Sequence, residues 1–258
     1  MKRESWWIFR STVYTGGFHA CFILRITMHK PLNIAHRGAS GEGLAPGNTL
    51  AAFRLALEHS ADLVELDVHR TKDGHVVVIH DGTLDRTTNR TGAIGDLTLR
   101  DLIEADAGDG ERIPTLVEAL ELIRGRAGVL IEIKPEDITE TVTDMIMETE
   151  ATDFTVIQSF HPQVVADAGR LLPQVPRGLL IGREGDLIRL AESVDAGIVV
   201  PSYTLVTETL VQDVHAHGLD FYTYTVDAEG DMHRMIELGV DGIITNYPNR
   251  LKAVISDK

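Results

Sequence analysis

The chain has 258 residues, 43% of them hydrophobic, a single cysteine and a formal net charge of −15. That length and apolar content suffice for one large core and suit a single α/β barrel. The charge argues against nucleic acid or an anionic membrane surface as the main partner. One cysteine excludes an intrachain disulfide framework and fits a reducing compartment.

Residues 1–27 stand apart. They hold Trp6, Trp7 and Cys21, and set Lys2, Arg3, Arg10 and Arg25 against one acid, Glu4. The stretch from Val13 to Leu24 is apolar, but Gly16, Gly17 and His19 interrupt it and Arg25 ends it. It is poor as a signal sequence and too short to span a bilayer. We expect Met28 to be the working start, 1–27 to be a disordered extension or a start-site artefact, 28–258 to be the domain, and the location to be cytoplasmic, without stable membrane insertion.

From Leu32 onward, short apolar runs alternate with amphipathic ones. Strands are predicted at Leu32–Ala35, Leu63–Val68, Val129–Ile133, Phe154–Gln158, Gly178–Ile181, Gly197–Val200, Phe221–Val226 and Gly242–Thr245. Helices are predicted at Thr49–His59, Thr115–Ile123, Gln163–Leu172, Asp186–Ser193, Glu208–His217 and Asp231–Leu238. Such alternation implies parallel strands with helical crossovers, and eight units make a (β/α)8 TIM-type barrel. The structural alternative is a doubly wound open sheet, but no Gly-x-Gly-x-x-Gly follows a strand. His75–Ile79 falls outside the eight. It follows the second strand through Thr71-Lys72-Asp73-Gly74, and Asp-Gly between strand-like runs predicts an antiparallel hairpin. Asp81 to Pro114 then reads as a long excursion with a short helix near Leu99–Ile103, and a loop of that length is usually functional.

The chemistry concentrates at strand ends. In Leu63-Val64-Glu65-Leu66-Asp67-Val68, strand alternation points Glu65 and Asp67 one way and the apolar residues the other. Glu132 and Lys134 share a face in the same manner opposite Ile131 and Ile133. Acids aimed into an interior repel and are costly to desolvate, and a cation relieves both costs. Three carboxylates, Glu65, Asp67 and Glu132, suit a hard divalent ion, Mg²⁺ or Ca²⁺, better than zinc. Arg37 and Lys134 suit a phosphate beside it. His36 and His80 are candidates for acid and base, since imidazole titrates near neutral pH. An isolated histidine is more often a surface or core residue, and the others are read that way.

These residues together resemble the glycerophosphodiester phosphodiesterases of barrel type. The resemblance rests on His36-Arg37-Gly38, Pro46 with Asn48-Thr49, Glu65-Leu66-Asp67-Val68, His80-Asp81, Arg86-Thr87-Thr88, Glu132-Ile133-Lys134, Ser159-Phe160, Thr225-Val226 and Gly239 to Thr245. It runs in order from Leu32 to Arg250. It implies hydrolysis of small glycerophosphodiesters, such as glycerophosphocholine or glycerophosphoethanolamine, to sn-glycerol 3-phosphate and an alcohol. By position, His36 and His80 become acid and base, in an order the sequence leaves open. Glu65, Asp67 and Glu132 become metal ligands, and Arg37 and Lys134 phosphate ligands.

Four positions depart from the family pattern. Gly47 stands where the family usually has glutamate, and Glu42 is the nearest acid that could substitute. Tyr224 stands where tryptophan is common and remains able to wall the substrate pocket and donate a hydrogen bond. Asp227 replaces an asparagine and Asn246 an aspartate, changes we expect to concern specificity or packing. Two other readings stay open: a phosphodiesterase acting on lysophospholipids, and a catalytically weakened barrel that only binds a phosphodiester because Gly47 has replaced the acid.

Overall fold

The structure, a computed structural model, describes residues 30–256. The expectations for residues 1–27 and for Met28 as the start lie outside them. The elements in chain order are β1 (Leu32–Ala35), α1 (Leu50–Glu58), β2 (Leu63–Arg70), β3 (Val76–Val78), α2 (Leu99–Ile103), α3 (Leu116–Ile123), β4 (Gly128–Ile133), α4 (Thr139–Glu148) and β5 (Thr155–Ser159). There follow α5 (Pro162–Leu171), β6 (Arg177–Ile181), α6 (Leu187–Ser193), β7 (Ile198–Pro201), α7 (Glu208–Ala216), β8 (Asp220–Thr223), α8 (Glu229–Leu238), β9 (Gly242–Thr245) and α9 (Pro248–Ser256).

The strands run β1-β9-β8-β7-β6-β5-β4-β2, all parallel, and β2 pairs back to β1 through Ile34 and Leu63. This closes the expected eight-stranded barrel. Strand alternation sorts its side chains into two sets. Outward residues such as Val64, Leu66, Val68, Ile131 and Ile133 pack on helix residues including Phe53, Leu120 and Val142. Inward residues Ile34, Leu63, Leu130, Val156, Leu180, Ile198, Tyr222 and Ile244 fill the barrel floor. Each aliphatic side chain fully buried there stabilises the fold by roughly 1.5–3 kcal/mol.

Two residues further along the same inward faces, the interior changes character. Ile34 is succeeded by His36, Leu63 by Glu65 and then Asp67, and Leu130 by Glu132 and then Lys134. Val156 is succeeded by Gln158, Tyr222 by Tyr224, and Ile244 by Asn246. The carboxyl end of the barrel is therefore polar above an apolar floor, as barrel active sites require.

The hairpin forms as predicted, with Val68 opposite Val78 and Gly74 at φ +88° in the turn. Its pairing carries β2 on to Arg70, two residues past the predicted end. The excursion is better packed than its composition suggests, because Val77, Ile79, Leu84, Ile94, Leu102, Ala105 and Ile113 form a small core of their own. A capping box between Thr115 and Glu118 starts α3 and returns the chain to the barrel wall.

Two helices were not anticipated, α4 and α9. In α4, Thr139, Thr141 and Thr143 dilute the helical pattern, yet Val142 and Ile146 are buried at helical spacing. The strand predicted at Phe221–Val226 is too long: β8 stops at Thr223, and the Val226 N–H donates to Ile244 O at 2.9 Å instead of continuing the β7 ladder. Among the described residues no helix is long and apolar enough to cross a membrane.

Candidate active site

The turn after β1 sets the first part of the site. Arg37 at φ 56° and Gly38 at φ 82° are consecutive left-handed residues. A Cβ on Gly38 would lie 2.6 Å from the Ala52 carbonyl carbon, so only glycine lets the turn lie this close to α1. The turn aims the Arg37 N–H at Glu65 Oε2, 2.8 Å away. Asn48, also left-handed at φ 61°, donates its N–H to Arg37 O at 2.9 Å. Its side-chain amide donates to Asp67 Oδ2 at 2.8 Å and accepts from Asp67 N–H at 3.3 Å.

Glu65, Asp67 and Glu132 come together as expected. All three are buried, and each offers an oxygen within 4.8 Å of the others. Lys134 Nζ lies 2.6 Å from Glu132 Oε1 and 3.0 Å from Asp67 Oδ1, and Arg37 Nε lies 3.3 Å from Asp67 Oδ2. Burial, then the charges of Asp67 and Glu132, push the Glu65 carboxyl well above its ordinary value. Burial, then Asp67, raises Glu132 to about 7. Burial raises Asp67 as well, but Lys134 and Arg37 outweigh it and hold this carboxyl at about 2. Three acids crowded in this way cannot all ionise without positive charge among them. Asp67 Oδ1 is buried and, apart from the ion pair with Lys134, has no hydrogen-bond partner, and the donor set is all oxygen. Those features fit a hard divalent cation. Glu42 does not belong to the cluster. It is exposed, and its N–H donates to Tyr247 Oη at 3.0 Å.

The two histidines have different partners. His36 Nδ1 lies 2.7 Å from Asn246 Oδ1, and burial, then Arg37, lowers its pKa to about 4. His80 Nδ1 lies 2.6 Å from Asp81 Oδ1, and Arg86 holds that carboxylate with two hydrogen bonds of 2.6 and 2.9 Å. Burial lowers His80, while Asp67 and Asp81 pull it back up.

Both histidines, with Arg37, Glu65, Glu132, Lys134, Gln158, Phe160 and Tyr224, line an inner cavity of about 190 Å³. Arg37 and His80 also border an outer cavity of about 400 Å³, walled by Glu42, Gly47, Arg86 and Tyr247. Tyr224 stands edge-on to Phe160, with ring centres 5.7 Å apart, and donates its hydroxyl to Ile181 O at 3.2 Å. Gly47 is exposed on the rim, where a Cβ would meet those of Arg37 and Ser40 at 3.2 Å.

Sequence reasoning missed the supporting contacts. Asn48 was visible only as part of a motif, and nothing in the sequence ties it to Asp67. The departures at 227 and 246 prove to be one feature, because Asn246 Nδ2 donates to Asp227 Oδ2 at 2.7 Å. Asp227 and Asn246 form a single carboxylate–amide contact that reaches His36.

Comparison with known proteins agrees with this geometry. Residues 36–250 match the family model of the glycerophosphoryl diester phosphodiesterase family. A glycerophosphodiester phosphodiesterase of Caldanaerobacter subterraneus is 41% identical over 238 residues, covering 86% of this chain and 96% of that one. One of Bacillus subtilis is 32% identical over 252 residues, covering 84% of each. The structure of an Oleispira antarctica phosphodiesterase in complex with the product sn-glycerol-3-phosphate superposes with a TM-score of 0.80. It shares 30% identity over 86% of this chain and 96% of that one. With the barrel, the acidic cluster and the family match in agreement, the chain belongs to the glycerophosphoryl diester phosphodiesterase family.

Proposed function

We propose that the protein hydrolyses glycerophosphodiesters to sn-glycerol 3-phosphate and an alcohol with the help of a divalent cation, Mg²⁺ or Ca²⁺, held by Glu65, Asp67 and Glu132. The observation that carries this is the meeting of three buried carboxylates, two cationic side chains and two histidines around one cavity. The cation, when bound, supplies Lewis-acid stabilisation of charge on the phosphoryl oxygens.

Arg37 and Lys134 add positive charge on the same side and orient the phosphate. Asn246 presents an oxygen to His36 Nδ1, which keeps the proton there and leaves Nε2 free as a base. His36 thus takes the proton from the attacking hydroxyl as its oxygen bonds to phosphorus: attack by water gives sn-glycerol 3-phosphate directly, and attack by the glycerol hydroxyl gives a cyclic phosphate that water then opens. The bond from phosphorus to the leaving alcohol breaks, and His80 supplies that oxygen with a proton. The Asp81 carboxylate suits His80 to the role by favouring its charged form. Tyr224 and Phe160 wall the glycerol side of the cavity.

Among the described residues, large apolar side chains exposed on the surface, including Ile103 and Phe160, are scattered and make no broad patch, which favours a small substrate over a lysophospholipid. A cytoplasmic location belongs to the same proposal and rests on the single cysteine.

The test is release of sn-glycerol 3-phosphate from glycerophosphocholine and glycerophosphoethanolamine with Mg²⁺, Ca²⁺ or EDTA, alongside His36→Ala and His80→Ala. Metal-dependent release lost in both variants supports the reading. Folded protein that releases nothing under any condition sinks it. Release from lysophosphatidylcholine alone favours the lipid-directed reading, and recovery of activity by Gly47→Glu favours the weakened barrel.

A further inference from the structure

Asp227 lies outside the acidic cluster and the inner cavity and borders only the outer one, yet its carboxylate accepts three hydrogen bonds. Thr245 Oγ1 and the Asn246 N–H donate to Oδ1 at 3.1 and 2.9 Å, and Asn246 Nδ2 donates to Oδ2 at 2.7 Å. Arg250 also donates to the Asp227 backbone carbonyl. A carboxylate only accepts, so the NH2 end of the Asn246 amide must face Asp227. The oxygen end must then face His36 Nδ1 at 2.7 Å, with Ser40 Oγ 3.0 Å away on the same oxygen. An unprotonated Nδ1 at 2.7 Å would set two acceptors against each other, so the proton sits on Nδ1, which fixes the imidazole tautomer.

We propose that Asp227 is a positioning residue that acts through the Asn246 amide to hold His36 as the Nδ1–H tautomer, with Nε2 unprotonated toward the cleft. The proposal rests on the reading of His36 as the base.

Asp227→Asn tests it sharply, because the change keeps size and shape. The oxygen of the introduced amide would still serve Thr245 and the Asn246 N–H. Its NH2 would then confront the NH2 of Asn246, two donors with no acceptor between them. Asn246 resolves this by turning over, giving its oxygen to the introduced amide and its NH2 to His36 Nδ1. The His36 proton is driven to Nε2, the nitrogen that must be free.

The exchange variant, Asp227→Asn with Asn246→Asp, removes the conflict. The carboxylate, now on the other side of the contact, accepts from both the introduced amide and His36 Nδ1, and the original tautomer returns.

The experiment combines ¹⁵N NMR of the His36 ring with steady-state kinetics on glycerophosphocholine and thermal melts for folding. In Asp227→Asn, we expect the protonated ring nitrogen to change from Nδ1 to Nε2. We also expect kcat to fall on the order of 10²-fold, the scale of a lost general base, with KM nearly unchanged. The exchange variant regains both the Nδ1–H signature and most of the lost kcat.

An Nδ1–H tautomer that persists in folded Asp227→Asn overturns the proposal, as does a kcat loss in that variant that the exchange fails to recover. His36→Ala separates the two readings. Activity surviving there refutes the base assignment, whereas the NMR signature reports on Asp227 in either case.

Discussion

Replacing Glu65 by glutamine should leave the metal-free protein nearly as stable as before while abolishing its response to divalent cations. Glu65, Asp67 and Glu132 bring oxygens within 4.8 Å of one another. At an effective dielectric of ~20, two unit charges at that separation repel by roughly 3.5 kcal/mol. Burial and this repulsion raise the Glu65 carboxyl well above its ordinary value, so without a cation its neutral form is favoured over that of an ordinary carboxyl. Glutamine is then a close neutral substitute, and its carbonyl can still accept the Arg37 N–H. We expect the variant within about 1 kcal/mol of wild type in EDTA, the scale of a change that creates neither a cavity nor an unpaired group. For wild type at a free cation concentration a hundredfold above Kd, binding adds about 2.7 kcal/mol. For a chain of this size that raises Tm by roughly 5–10 °C. Scanning calorimetry in EDTA, Mg²⁺ and Ca²⁺ reads both effects. Severe destabilisation in EDTA would show Glu65 to be a paired, charged group and refute the repulsion argument. A cation shift retained by Glu65→Gln would remove Glu65 from the ligand set.

Three more expectations concern the same cleft. Because Glu132 sits near 7 and Glu65 is also raised, a cation must displace protons from these carboxyls. Its affinity should therefore climb as pH rises toward 7, and titration calorimetry in buffers of different ionisation enthalpy should show proton release; heats independent of buffer would contradict this. Asp81→Asn removes a group that pulls the His80 pKa up, so the alkaline limb of the kcat profile should move to lower pH if protonated His80 is the acid. An unmoved limb assigns that proton elsewhere. Asn48→Ala strips two hydrogen bonds from buried Asp67 and puts alanine at φ 61°, and should cost about 1–3 kcal/mol in urea unfolding. A loss below half of that would mean that the Asp67 carboxylate is satisfied by Arg37 and Lys134 alone.

Much of this site was legible because strand alternation is a local code. The order of residues in Leu63 to Val68 says which side chains share a face, and the same rule placed Glu132 beside Lys134. The Asp73-Gly74 turn likewise announced the hairpin and hence the position of His80. What stayed hidden depends on contacts between distant parts of the chain. Asn48 meets Asp67 only because Arg37 and Asn48 both adopt left-handed backbone. Asn246 meets His36 only because β9 closes against β1. Asp227 and Asn246 looked like separate substitutions until β9 and the turn after β8 brought them together. Helix α4 escaped notice for a related reason: its threonines mask a pattern whose buried stripe is defined by what α4 packs against.

The small core beneath the excursion gives the enzyme two separately packed parts. The barrel rim holds His36, the acids and the cations, while His80 stands at the junction with an arm that has its own apolar interior. On the proposed assignment of His80, the leaving-group side of the reaction is thus hung on a separately packed fixture. Its shape can drift, lengthen or be replaced by grafting while the anion-gripping end keeps its geometry. One scaffold could in this way be refitted for alcohols of different bulk without rebuilding the part that holds the phosphate.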